Sequence, residues 1–527
     1  MARPASPRPI EREATRPGSR VALVVLGLLV VLATWLRAGG LTHLGLYTDD
    51  AWAALDARVG LGTALRMGVT APGYTLAERS WILLHPQSST WAQLPALVLG
   101  VAAVVAAYTL VRTYGLARWL GLAAALVVTV SPVAIEYATR VKEYSADFVL
   151  AVALLILAER SRRDRQSGAL LAGLAGFSLA AFFVSASTVV VVAGVWTALL
   201  VDAALDGPRR RLVLIWGGAA AAGCAVVAAV FLRRLPPALH DFWRTMGFFP
   251  TASSAGNLAV DLRNVATSVL GGLGIWPGPS PAYLSNMAVG PLRTAVFVMA
   301  AALVVAGLWA GRRALAPVLV LAWALVAWSL SIVPLGTGRT DIVLYPALLL
   351  LMALGAGQLT PRLRGHLQVV GVGVVVVWAA VLVVGPGRVA QPYPAVDTAT
   401  LAAHIAAGHR PGDLVVVAPG ARFPWAYHEL PSVQIHFGGQ WDQGFTVRSG
   451  DPGTFVAAEC ALEPGYDPGA WSRVTAGASR VWYAGSDRVC DAGPDGDRLY
   501  QDIVASGFHA VSRVNVEGGY LVLLERS

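Results

Sequence analysis

Two adjacent acids, Asp49 and Asp50, follow the first apolar run of the chain, which extends from Val21 to Leu36. With its flanks, that run is long enough to cross a hydrocarbon core of about 30 Å. Carboxylates at the edge of such a segment are costly unless they face water or a polar cavity. Two together repel, which tends to raise one pKa and to split the pair into a base and a supporting group. A solvated loop turn could carry the same residues, so the pair alone leaves both readings open.

A second cluster lies in SPVAIEYATRVKEYSADF, from Ser131 to Phe148. It holds Glu136, Arg140, Lys142, Glu143 and Tyr144 beyond another apolar run. Lys142 is the only lysine in the chain; every other basic residue is arginine or histidine. An ammonium is a compact point charge where a guanidinium is a planar fork, and the two together make a good phosphate clamp. The plainer reading is a local ion pair between Lys142 and Glu143. A third cluster, Gly336 to Asp341 with Tyr345 and Pro346, adds Arg339 among glycines that allow close backbone approach. Alone it reads rather as a tight turn with an interfacial arginine. All three clusters fall at the ends of apolar runs, and acids opposite cations at a lipid–water boundary suit a lipid-linked phosphate.

The elements that must hold these clusters are membrane helices. The chain has 527 residues, of which 56% are hydrophobic and 13% charged, a balance that needs lipid. The net charge of +9 is spread over short arginine clusters between apolar runs, a topology signal rather than a nucleic-acid patch. Hydropathy predicts roughly eleven spans, about 21–38, 91–111, 118–134, 145–159, 168–184, 187–203, 212–232, 291–310, 315–335, 342–359 and 367–385. If the basic arm of residues 1–20 is cytoplasmic, the arginine-rich loops alternate correctly, and the three clusters lie outside with everything after Gly385. The first span lacks a small-residue cleavage site and reads as a retained anchor.

From about Gln391 the composition turns polar. Leu401–Ala407 reads as a helix start, and DLVVVA (413–418), RVWYA (480–484) and YLVLL (520–524) read as short buried strands. The expected fold is thus mainly α. It is a polytopic membrane bundle over 21–390, with a small α/β extracytoplasmic domain over 391–527. An exported compartment permits a disulfide, so Cys460 and Cys490 are expected to pair, while Cys224 sits in an apolar span. No metal-spaced Cys/His cluster is present in the sequence.

The order of elements resembles the GT-C superfamily of integral-membrane glycosyltransferases. The likeness is to the branch of protein mannosyltransferases, aminoarabinose transferases and RgtA/B/C/D-like enzymes. The matching pieces are LYTDDAWAAL (46–55), TAPGYTLAE (70–78), Leu94–Leu97, the Ser131–Ser145 turn, and Arg339 with Tyr345–Pro346. They cover residues 20 to 385; Asp50 departs from the pattern, which more often has Glu there. The resemblance implies an inverting transferase that uses a polyprenyl-phosphate-linked sugar at the plasma membrane. Its acceptor would be an extracytoplasmic glycan, lipid or protein. By that analogy Asp49 is the general base, with Asp50 beside it. Arg140, Lys142, Tyr144 and Arg339 would bind the donor phosphate, and Glu136, Glu143 and Tyr345 would support them. The stretches 51–67 and 74–85 would be helices roofing the site. A divalent cation, Mg or Mn, stays open as a cofactor. A transporter of lipid-linked sugars is the alternative, and it would need broken helices in paired repeats at the midplane.

Overall fold

The computed structural model of the protein describes residues 17–68, 70–86, 88–164, 167–205, 209–232, 237–250, 255–275, 291–360, 373, 375, 378–380, 395–429, 433–437, 444–457, 473–487 and 498–527. Cys460 and Cys490 lie outside the described residues.

The apolar runs form helices. They begin with α1 (Pro17–Ala38), from which Val21, Leu23, Val24, Leu28 and Val31 project outward while Ala33 is fully buried. So continuous an exposed apolar face suits lipid rather than water. Among the described residues, five helices are long and apolar enough to cross a membrane, or six if a bent pair counts as one span. The eleven spans of the sequence reading exceed that number among the described residues. Apolar composition marks a helix that avoids water, not one long enough to cross. Thus 168–184 and 315–329 are apolar but short; at 1.5 Å per residue, 17 residues reach about 26 Å. The 367–385 expectation falls mostly outside the described residues.

Three short helices follow α1: α2 (Thr48–Arg58), α3 (Leu61–Met67) and α4 (Pro72–Ile82). They occupy the two stretches in which roofing helices are expected. Next come α5 (Ser89–Thr113), α6 (Arg118–Val130) and α7 (Pro132–Glu136). The chain bends by 63° between α6 and α7. Pro132 causes the break, because it cannot donate to the preceding turn. The carbonyls this would orphan find a partner in Arg37, fully buried at the end of α1, which donates to Val128 O at 2.8 Å and Thr129 O at 3.2 Å. Ser131 starts the new direction: its hydroxyl accepts from Ala134 N and donates to Gly272 O at 2.7 Å. The bend delivers Arg140 to Lys142 to the end of the bundle, ahead of α8 (Tyr144–Arg163).

The remaining bundle comprises α9 (Gly168–Val184), α10 (Val189–Leu205), α11 (Arg210–Leu232), α12 (Pro237–Thr245), α13 (Ala255–Gly272), α14 (Pro291–Leu308), α15 (Leu315–Ser329) and α16 (Tyr345–Leu359). Helices α14 and α16 meet backbone to backbone at Gly307 and Gly355. A Cβ added at Gly307 would come within 2.3 Å of Leu351 O. Small residues are what let apolar helices approach this closely.

Five strands between Leu414 and Arg526 form a sheet in the order β4-β1-β5-β7-β6. The strands are β1 (Leu414–Val417), β4 (Thr454–Val456), β5 (Arg480–Ser486), β6 (Phe508–Val516) and β7 (Gly519–Arg526). β1 runs parallel to β4 and β5, with Val416 opposite Tyr483; β7 is antiparallel to β5 and β6. A separate antiparallel pair joins β2 (Val433–Phe437) to β3 (Phe445–Ser449). The three strands and the helix read from sequence here are all present, the helix at Thr398–Gly408. This sheet layer is stitched to the loop ahead of the acidic pair. Leu46 bridges Val396, and a Cβ on Gly45 would overlap Val396 O. Ala51, Ala54 and Leu55 of α2 share one core with Val415, Phe423, Tyr427, Phe445 and Trp482.

Candidate active site

Asp49 and Asp50 occupy the first turn of α2, not a solvated loop. Carboxylates at a helix N-terminus face the positive end of its dipole. Their surroundings differ. Asp50 is buried, accepting from Val141 N at 3.0 Å and from Arg140 at 3.1 Å. Asp49 is half-buried and pairs with Arg339 at 2.7 Å.

Arg140 links two acids. Its other terminal nitrogen donates to Glu136 at 2.6 Å, and its guanidinium lies 5.0 Å from the centre of the Tyr47 ring. Lys142 is buried, which rules out the wet-surface pair with Glu143 that the sequence allows. Its ammonium sits 4.6 Å over the ring of Trp52. Tyr144 opens α8 and packs edge-on against Tyr137, with centroids 5.0 Å apart.

Arg339 is held by a compact turn. Gly336 and Gly338 both take positive φ, 84° and 77°, which favours glycine. Their amides donate to the buried Asp341 carboxylate at 3.0 and 2.9 Å, and Ser268 adds a third bond at 2.8 Å. The Thr337 hydroxyl accepts from the Arg339 and Thr340 amides. An over-determined turn of this kind aims one arginine at one carboxylate.

The charges sort the acids. Burial pushes the Asp49 carboxyl up, but Arg339, Lys142 and Arg140 together hold it below its ordinary 3.8. Burial raises Asp50 above that value against the pull of Arg140. Asp56, which accepts from Thr75 at 3.2 Å, is pushed by burial up to about 7. Burial raises Glu78 well above the usual carboxylate range and raises Glu143 against the charge of Lys142. Asp49 is therefore the acid held most firmly as an anion, with cations around it.

Of the residues singled out in the sequence, Asp50, Arg140 and Glu136 are joined by direct hydrogen bonds, Asp49 and Arg339 by a separate one, and the charges of Lys142, Glu143 and Tyr144 act on these pairs. Tyr345 is buried at the start of α16 with its hydroxyl against Gly272 of α13. Sequence reasoning passed over Trp52, Asp56 and Glu78. The first two share a face of α2 at a spacing of four residues, a signal that was readable. Glu78 comes to the site only through the packing of α4 on α2. Among the described residues no three His, Cys, Asp or Glu side chains are grouped to hold a metal ion. Asp49 and Asp50 are both engaged by arginines.

No family model and no curated protein matches this chain. Solved structures do match. ArnT from Cupriavidus metallidurans bound to undecaprenyl phosphate is 14% identical with a TM-score of 0.55, over 96% of this chain and 98% of that one. The apo form of ArnT is 15% identical with a TM-score of 0.52, over 97% and 98% of the two chains. At such identities the likeness is one of fold, and the fold expected from the GT-C resemblance is the one found.

Proposed function

We propose that this chain is an inverting glycosyltransferase that moves a sugar from a polyprenyl-phosphate donor to an extracytoplasmic glycan, lipid or protein. One observation carries the reading: an ionised carboxylate, Asp49, stands among Arg339, Arg140 and Lys142 at the end of a membrane bundle. The fold neighbour solved with undecaprenyl phosphate supports the class of donor. In this reading Asp49 takes the proton of the acceptor hydroxyl, whose oxygen attacks the anomeric carbon from the face opposite the phosphate. The bond from that carbon to the phosphate oxygen breaks, and lipid phosphate leaves. Arg339, Lys142, Arg140 and Tyr144 stabilise the charge growing on it, an electrostatic contribution that is usually the largest.

Asp50 is the support. Its two oxygens fix Arg140 and the Val141 amide, and so the loop that carries Lys142. The depressed pKa of Asp49 is workable, because attack at a carbon with oxocarbenium character needs only late proton removal. An arriving phosphate also competes for Arg339, which strengthens Asp49 as a base when substrate is bound. In this reading the basic arm is cytoplasmic, and the site and the C-terminal sheet lie on the far face.

The test is to supply purified protein in vesicles with radiolabelled polyprenyl-phosphate sugars and to follow release of lipid phosphate. Release coupled to a new glycosidic product supports the transferase. Lipid-linked sugar crossing the bilayer with its phosphate bond intact, and never consumed, would establish the transporter instead.

A further inference from the structure

Beside the acidic pair stands a residue for which the reading above has no use. Trp52 is three residues past Asp49 on α2 and receives the Lys142 ammonium on its ring face, 4.6 Å from the centre. The ring is held by the sheet layer. Phe423 stacks on it with centroids 6.1 Å apart at 20°, and Phe445 leans against it at 6.2 Å. Phe423 and Phe445 pack on each other at 5.6 Å. The indole N–H, however, is shut off from solvent and has no acceptor among the described residues.

An indole N–H can only donate. A buried donor left unpaired is expensive, and where one persists at a site it calls for a ligand acceptor. The same ring carries a cation on its face. A ligand that accepts both from an in-plane N–H and from an ammonium above the plane needs several anionic oxygens on one centre. A phosphate has that geometry.

We infer that Trp52 is a further phosphate-binding residue: its indole N–H donates to an oxygen of the lipid-linked phosphate, while its ring face holds Lys142 and Phe423 fixes the ring. This rests on the polyprenyl-phosphate reading above. It also gives the C-terminal residues a part in the chemistry, since Phe423 and Phe445 set the angle of a group that touches substrate.

The experiment measures equilibrium binding of radiolabelled undecaprenyl phosphate, which carries no sugar, to purified wild type, Trp52→Phe, Trp52→Leu and Phe423→Leu. Phenylalanine keeps a ring face and loses the N–H. It should bind roughly tenfold more weakly, the loss expected for one hydrogen bond to a charged group. Leucine loses the cation's platform as well and should bind more weakly still. Phe423→Leu leaves Trp52 intact but frees its ring and should lie between wild type and Trp52→Leu. Thermal unfolding of each variant shows that it is folded, and Phe423→Leu carries the test if Trp52→Leu does not fold. Trp52→Phe binding as tightly as wild type would overturn the inference. So would Trp52→Leu and Phe423→Leu both binding as wild type does. Failure of the wild type itself to bind undecaprenyl phosphate would remove the donor reading instead, which keeps the two failures distinct.

Discussion

Two aspartate–arginine pairs of the same chemistry stand side by side, and burial alone predicts opposite consequences for breaking them. The Asp49–Arg339 pair, at 2.7 Å, leaves its side chains 30% and 29% exposed. The Arg140–Asp50 pair, at 3.1 Å, leaves 9% and 5%, and Arg140 also serves Glu136 at 2.6 Å. A partly wet pair contributes at most about 1 kcal/mol to stability. Removing one partner of a buried pair costs about 3–5 kcal/mol, because a desolvated charge is left uncompensated. Arg140→Gln strands two acids at once. Arg339→Gln should therefore unfold close to wild type in a detergent melt, and Arg140→Gln well below it. Activity should not follow stability. Arg339→Gln should lose about 100-fold or more in transfer, the usual effect of deleting one group that stabilises transition-state charge. Its pH profile should move too. Burial pushes the Asp49 carboxyl up, and Arg339 leads the cations that bring it below 3.8. The base form is present above the folded pKa, so loss of Arg339 should shift the acid limb of the rate profile to higher pH. The reasoning fails if Arg339→Gln is as destabilised as Arg140→Gln, or if it transfers sugar at the wild-type rate.

Asp56 is raised from 3.8 to about 7, so the folded state favours its neutral form, and stability should fall as pH rises from 4 to 7. Asp56→Asn should flatten that fall and be the more stable protein at pH 8, by up to about 4 kcal/mol; equal melting of the two at pH 8 would count against a buried, neutral Asp56. Lys142→Arg should weaken use of the lipid-linked donor and Lys142→Ala should weaken it further, read as transfer per folded protein; a fully active Lys142→Ala would reduce the single lysine to an accident of composition. Cys460 and Cys490 should react with a membrane-impermeant thiol reagent on intact cells only after reduction; reaction without reductant would show them unpaired.

Much of the site was legible because its chemistry is local in sequence. Asp49 and Asp50 adjoin the first apolar run, Ser131–Pro132 announces the bend, and Arg140 and Lys142 follow within ten residues of it. The strands at 414–417 and 480–486 were legible as runs of buried β-branched and aromatic residues. What escaped depends on contacts between distant segments. Arg37 looks like an ordinary charge after a span until α6 presents its orphan carbonyls. Trp52 becomes special only when Phe423, far along the chain, stacks on it. Tyr345 is near Arg339 in sequence, but the chain turns between them and seats its hydroxyl against Gly272, a contact no local pattern announces.

The most direct measurement compares wild type with Asp49→Asn on a radiolabelled polyprenyl-phosphate sugar, scoring donor binding and transfer separately. Asparagine keeps the size of the side chain and can still accept from Arg339, but it cannot take a proton at neutral pH. Donor binding should persist, and transfer should fall by about 100- to 10,000-fold, the usual contribution of a general base. Near-wild-type turnover by Asp49→Asn would contradict the assignment of Asp49 as the base and, with it, the account of how this site works.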